Sequence, residues 1–225
     1  MRGHNGRGPV RVTGLWGNLW RNAAKITAGR LVGAGLALGA VTVTARSLGA
    51  QGLGYVVLAE SVAILIISIL GVNGWQAVVA LGAKAFEKRE VGRLADVLKA
   101  VVAVDAVTAG VAAALLLFLA WSGGESGILG GVPTALWVAW SLVALTELTG
   151  AASGLLRLRN RFDVLAFETP VAEGVRFAGC MIAASVGAGV AGFGFAWALS
   201  RAVKNVYLAA SSFRDARGTF TLRGL

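Results

Sequence analysis

The chain has 225 residues, of which 56% are hydrophobic and only 14% charged, against about 25% charged in a typical soluble domain. One soluble core of this length cannot hide that much apolar surface, and repeated stretches of about 20 apolar residues predict a polytopic membrane protein. The net charge of +10 lies beside those stretches, where it serves topology and contact with anionic lipid rather than nucleic acid.

Residues 1–25 carry Arg2, Arg7, Arg11, Arg21 and Lys25 and no apolar run. A secretory signal places its apolar core soon after a brief basic start, so this basic stretch is expected as a cytoplasmic lead. Trp16 and Trp20, four apart, suit a belt at the lipid interface; a disordered tip followed by an early helix start reads equally well. The first span covers residues 26–45, with Gly29/Gly33 and Gly35/Gly39 at the small-xxx-small spacing that brings helices together in lipid. A glycine-rich turn leads into the second span, residues 55–83. At 1.5 Å per residue it would reach about 43 Å, beyond an average hydrocarbon core of about 30 Å. It must bend or tilt, and Gly71, Asn73 and Gly74 mark the kink.

A basic loop with Lys84, Lys88, Arg89, Arg93 and Lys99 precedes the third span, residues 100–121. The turn at 122–131 has no Lys or Arg. Pro133 opens the fourth span, residues 133–155, which Arg157, Arg159 and Arg161 close. The fifth span is 170–186 and the sixth is 191–211, joined by the hinge GAGVAG and followed by a cytoplasmic tail at 212–225. The last two spans could be one re-entrant hairpin, but their lengths near 20 residues favour two crossings.

With the amino terminus inside, the inner segments hold 18 of the 21 Lys and Arg residues and the outer segments hold Arg46 alone. Arg30 and Arg176 lie within spans. By the positive-inside rule the expected fold is an all-α integral membrane protein. It is a bundle of six transmembrane helices with both termini cytoplasmic, multi-pass in the cell membrane.

The segments ARSLGAQGLGYVVLAE, ILGVNGWQAVV and GLLRLRNRFDVLAFETPVAEGVRF resemble the oligosaccharide flippase family. That family sits within the multidrug/oligosaccharidyl-lipid/polysaccharide exporter superfamily. The cues are a small residue and Arg before Leu-Gly (Ala45 to Gly49), Gly54-Tyr55 opening the second helix, and the Arg- and Phe-containing loop from Arg157 to Phe162. The resemblance runs from about Thr13 to Ser212. It implies one six-helix lobe, the amino-terminal half of a two-lobe flippase. A second lobe or a second copy of this chain would be its partner, since alternating access needs two bundles rocking against each other. The implied substrate is a lipid-linked oligosaccharide of the undecaprenyl-pyrophosphate type, moved for surface polysaccharide biosynthesis. The alternatives are an ion-coupled drug or metabolite exporter of the same superfamily, and a non-transporting membrane fragment or scaffold.

Charges within spans are costly and invite explanation. Glu147 would share a helical face with Gly150, Ala151 and Gly154, either as a cavity carboxylate or coupling group or as an interhelical hydrogen-bond acceptor. Arg30 continues into Gly33, Ala34, Ala37, Val41 and Thr44; it could hold a pyrophosphate or snorkel to the inner interface. Glu60 is expected to pair with Arg46 across the first hairpin, and Glu173 with Arg176 at i,i+3. Asn73 and Gln76 at the kink could meet a sugar or another helix. Asp105, close to Lys99, reads as a residue of the polar inner boundary. Cys180 is a lone core residue and His4 the single histidine. No metal site, cofactor motif or nucleophile motif is found, so no enzymatic activity is expected.

Overall fold

A computed structural model describes residues 12–71, 73–88, 90–122 and 131–220. The described residues are helical, with short links and no strand. The helices are α1 (Val12–Leu70), α2 (Gly74–Lys88), α3 (Val91–Ser122), α4 (Thr134–Ala144), α5 (Gly150–Leu158), α6 (Phe162–Ser185) and α7 (Val190–Phe220). Two stretches are long and apolar enough to cross a membrane, Thr27–Lys88 and Val91–Ser122. The α1 backbone is already helical at Val12, so helix overlaps the expected basic lead of residues 1–25. The side chains of Trp16 and Trp20 lie outside the described residues, as does most of the 122–131 turn.

The first expected turn shrinks to one residue. Gly49 adopts φ 71° and ψ −177° inside α1, a conformation that a side chain would strain. The chain reverses there. Along the first arm, Gly29, Gly33, Gly39 and Thr44 meet Ala166, Thr169, Phe177 and Cys180 of α6 in ascending order. Along the second arm, Tyr55 lies against Gly131, and Ile67 joins Ala109 and Ala112 of α3. Gly35, half of the second expected pair, meets nothing within 4 Å, so the seam follows 29, 33 and 39 instead.

α6 begins eight residues before its expected start and contains Pro170. A proline removes the N–H that would bond the carbonyl four residues back, here that of Ala166. Gly29 packs onto that carbonyl oxygen, so the proline frees an acceptor at the point where a backbone without a side chain approaches it.

Two pairs of half-helices each lie along an unbroken one. The second arm of α1 and α2 together run beside α3, with Ile67 near Ala109, Gly74 near Asp105 and Gly82 against Leu94. α4 and α5 run beside α7: Gly194 packs on Leu136, and Leu208 clusters with Leu156. The large core around Trp137, Trp140, Phe193 and Leu116 fills one end of the bundle. Two smaller clusters, one around Val78, Val101 and Ala151 and one around Leu156, Val164 and Leu208, fill the other.

Candidate functional site

The second and fourth expected spans are interrupted rather than continuous. α1 ends at Leu70 and α2 restarts at Gly74; α4 ends at Ala144 and α5 restarts at Gly150. Both interruptions open on one cavity of about 150 Å³, lined by residues including Gly71, Asn73, Asp105, Glu147, Thr149 and Ser153. That volume holds a few water molecules, and the lining offers them polar partners.

Asp105 is the centre of this site and corrects the sequence reading. It is not a boundary residue: it is only 5% exposed. Its Oδ2 accepts a hydrogen bond of 2.9 Å from the Gly150 N–H, the first residue of α5. Its Oδ1 lies beside Gly74, the first residue of α2. Two helix amino termini therefore converge on one carboxylate, and the partial positive charge of each favours the anion. The convergence requires bare backbone. A Cβ on Gly150 would sit 2.6 Å from Asp105 Oδ2 and 3.1 Å from the Cα of Gly74. Asp105 has apolar neighbours, Val104 and Ala106, on both sides; that pattern was the available signal of burial.

Glu147 lies in the second interruption, not on a helical face shared with Gly150 and Gly154. Its Oε1 accepts a 2.6 Å hydrogen bond from Arg201 Nε. Next to it, Thr146 donates its hydroxyl to the Val143 carbonyl at 2.7 Å and accepts from Asn205 Nδ2 at 2.9 Å. Arg201 and Asn205, four residues apart on α7, project onto the interruption.

Glu60 does not meet Arg46, which is exposed. It forms an ion pair with Arg176 of α6, which also bonds Glu173 at 3.4 Å as the i,i+3 spacing predicted. Arg176 stacks its guanidinium 4.0 Å from the Trp197 ring centroid. α6 packs against both arms of α1, so a partner distant in sequence wins over the one across the turn. Arg157 similarly stacks on Trp75 at 4.0 Å.

Of the expected site residues, the structure brings Asn73 and Glu147 to the cavity. Gln76, exposed in the first turn of α2, donates its backbone N–H to the Asn73 carbonyl at 2.9 Å and does not line the cavity. Glu60 belongs to the Arg176 cluster. Arg30 is exposed on the first arm of α1. Among the described residues, no group of three or more His, Cys, Asp or Glu side chains could hold a metal ion.

No family model matches the chain, and neither curated proteins nor solved structures provide a match.

Proposed function

We propose that the chain is one lobe of a membrane flippase that moves lipid-linked oligosaccharide across the cytoplasmic membrane for surface polysaccharide biosynthesis. The six rods would be six crossings: the first arm of α1, its second arm with α2, α3, α4 with α5, α6, and α7. Even-numbered passage puts both termini on one side, and the distribution of Lys and Arg makes that side cytoplasmic. The observation that carries the reading is the pair of interrupted helices meeting at a polar cavity around Asp105. Non-helical backbone at membrane depth is tolerated where it is buried in protein or lines a cavity. Discontinuous helices around a central polar site are a recurring device of secondary transporters. The ion pairs Glu60–Arg176 and Glu147–Arg201 point the same way, since charges at that depth face a bundle interior or a water-filled path. The resemblance described above supplies the substrate class, an undecaprenyl-pyrophosphate-linked glycan, and the need for a second lobe or a second copy.

The test is genetic. Deleting the gene removes surface polysaccharide, and the wild-type gene restores it; unchanged glycan export in the deletion strain refutes the proposal. One observation favours the ion-coupled drug or metabolite exporter as second reading: two carboxylates, Asp105 and Glu147, line the same cavity. That reading requires a drug-resistance phenotype that Glu147→Gln abolishes.

A further inference from the structure

A second cavity lies away from the interrupted helices, where the start of α6 meets the end of α7. It measures about 450 Å³ and is lined by residues that include Arg161, Asp163, Phe167, Tyr207, Ser211 and Arg214. The helices are antiparallel, so these residues form a gradient along the groove. Tyr207, Ser211 and Arg214 follow at i, i+4 and i+7, one face of α7. Arg161 and Phe167 flank the same groove on the α6 side. The two arginines therefore lie at the terminal end, and the rings of Phe167 and Tyr207 lie toward the middle of the bundle. Among the lining residues, two arginines stand against one aspartate. Arg161 is bound to Asp163 through its Nε at 3.0 Å, while Arg214 is exposed and has no ion-pair partner among the described residues. Phe167 is 62% exposed, an apolar ring left standing beside a basic, hydroxyl-bearing rim.

We infer that this groove binds one anionic phospholipid of the inner leaflet. Its phosphate would lie on Arg214, beside the Arg161–Asp163 pair, with the Ser211 hydroxyl as a further donor, and its glycerol and upper acyl chains would lie on Phe167 and Tyr207. Basic pockets between transmembrane helices on the cytoplasmic side hold anionic head groups. A guanidinium offers the phosphate charge-assisted, fork-shaped hydrogen bonds. The inference rests on the membrane placement proposed above but not on what the protein transports. A zwitterionic lipid carries an ammonium that opposes the arginines, and a free phosphate has nothing to lay on the rings. The occupant that satisfies both ends of the groove is an anionic lipid.

The test is native mass spectrometry of the full chain purified in detergent, titrated with phosphatidylglycerol, phosphatidylcholine or sodium phosphate. Both lipids carry the phosphate, so the preference for phosphatidylglycerol over phosphatidylcholine comes from the choline ammonium that Arg214 repels, and it is expected at roughly tenfold. Arg214→Gln is expected to abolish that preference. Arg93→Gln removes the same charge from an exposed site at the start of α3 and leaves the preference intact. Phe167→Ala weakens both lipids alike. Equal binding of the two lipids, equal loss in Arg214→Gln and Arg93→Gln, or full displacement of phosphatidylglycerol by millimolar phosphate each overturns the inference. Should Arg214→Gln fail to fold, Arg214→Lys together with Ser211→Ala reads the same site. None of these outcomes bears on glycan export, so the two proposals fail separately.

Discussion

The two interruptions that share a cavity are built by opposite means. The first, between Leu70 and Gly74, is written into its own residues. Gly71 and Gly74 flank it, and its backbone is turned by local bonds, Gly71 N–H to the Ile67 carbonyl and Gln76 N–H to the Asn73 carbonyl. Its side chain Asn73 is exposed. The second, between Ala144 and Gly150, contains no glycine or proline. Its Leu-Thr-Glu-Leu-Thr sequence would continue a helix if left alone, and tight turns replace the helix only where α7 supplies Arg201 and Asn205. A helix can thus be ended by its own backbone permissiveness or by a neighbour that draws its polar side chains outward. Asp105 ties the two together, because both restarts present their first residues to it.

That shared dependence gives the largest expected effect. Asp105→Ala leaves the part-buried Gly150 N–H without its acceptor, a loss of roughly 1–3 kcal/mol, and removes the anion from two helix termini, each worth about 0.3–1 kcal/mol. Thermal unfolding in detergent is expected to show a total near 3 kcal/mol, with Asp105→Asn recovering about half because it keeps an acceptor. Equal behaviour of the two variants would mean that a neutral acceptor does nothing there, and wild-type stability of Asp105→Asn would mean that the charge does nothing. The next effect separates the interruptions. Arg201→Met strands Glu147; a fully buried pair would lose 3–5 kcal/mol, and with side-chain exposures of 24% and 14% about 2 kcal/mol is expected. Amide hydrogen exchange is expected to rise across residues 145–149 and to stay unchanged at Gly71 and Asn73. Uniform acceleration at both would show that α7 does not specifically hold the second interruption.

The same contrast explains what the sequence could reveal. Apolar run length and the placement of arginine and lysine marked the rods, and glycine marked both the reversal at Gly49 and the first interruption, since these are local properties. The second interruption was invisible because its cause lies more than 50 residues away on α7. Asp105 was assigned by distance from Lys99, although its burial follows from packing three elements around it. Glu60 was given the partner nearest in sequence, whereas α6 packs against both arms and offers Arg176. The early start of α6 was hidden by Pro170, which suggests a helix start by itself and is accommodated because Gly29 covers the carbonyl it frees.

A smaller pair of substitutions sharpens the comparison. Thr146→Val removes both the hydroxyl bond to the Val143 carbonyl and the acceptor for Asn205, and Asn205 is only 2% exposed. About 1–2 kcal/mol is expected from the polar groups left unpaired. Asn73→Ala at the first interruption alters an exposed side chain and is expected to stay within about 0.5 kcal/mol. A reversed order in chemical or thermal unfolding would mean that the first interruption, too, depends on its side chain.

The smallest effect lies at the start of α6, ahead of its apolar part, where Asp163 meets Arg161 of the α5–α6 link. The guanidinium hydrogen bonds keep the Asp163 carboxyl below the usual carboxylate range. A depressed folded pKa means that the unfolded chain takes up the proton first. The pair therefore stabilises the fold fully above the unfolded value of about 3.9 and loses that contribution as pH falls through the lower folded value. Both side chains are more than 40% exposed, so screening limits the gain to a few tenths of a kcal/mol. The melting temperatures of wild type and Asp163→Asn are expected to differ slightly and constantly between pH 5 and 7 and to begin to converge below about pH 4. A difference that does not shrink at all as pH falls below about 4 would assign the effect to the helix start that Asp163 occupies rather than to its charge.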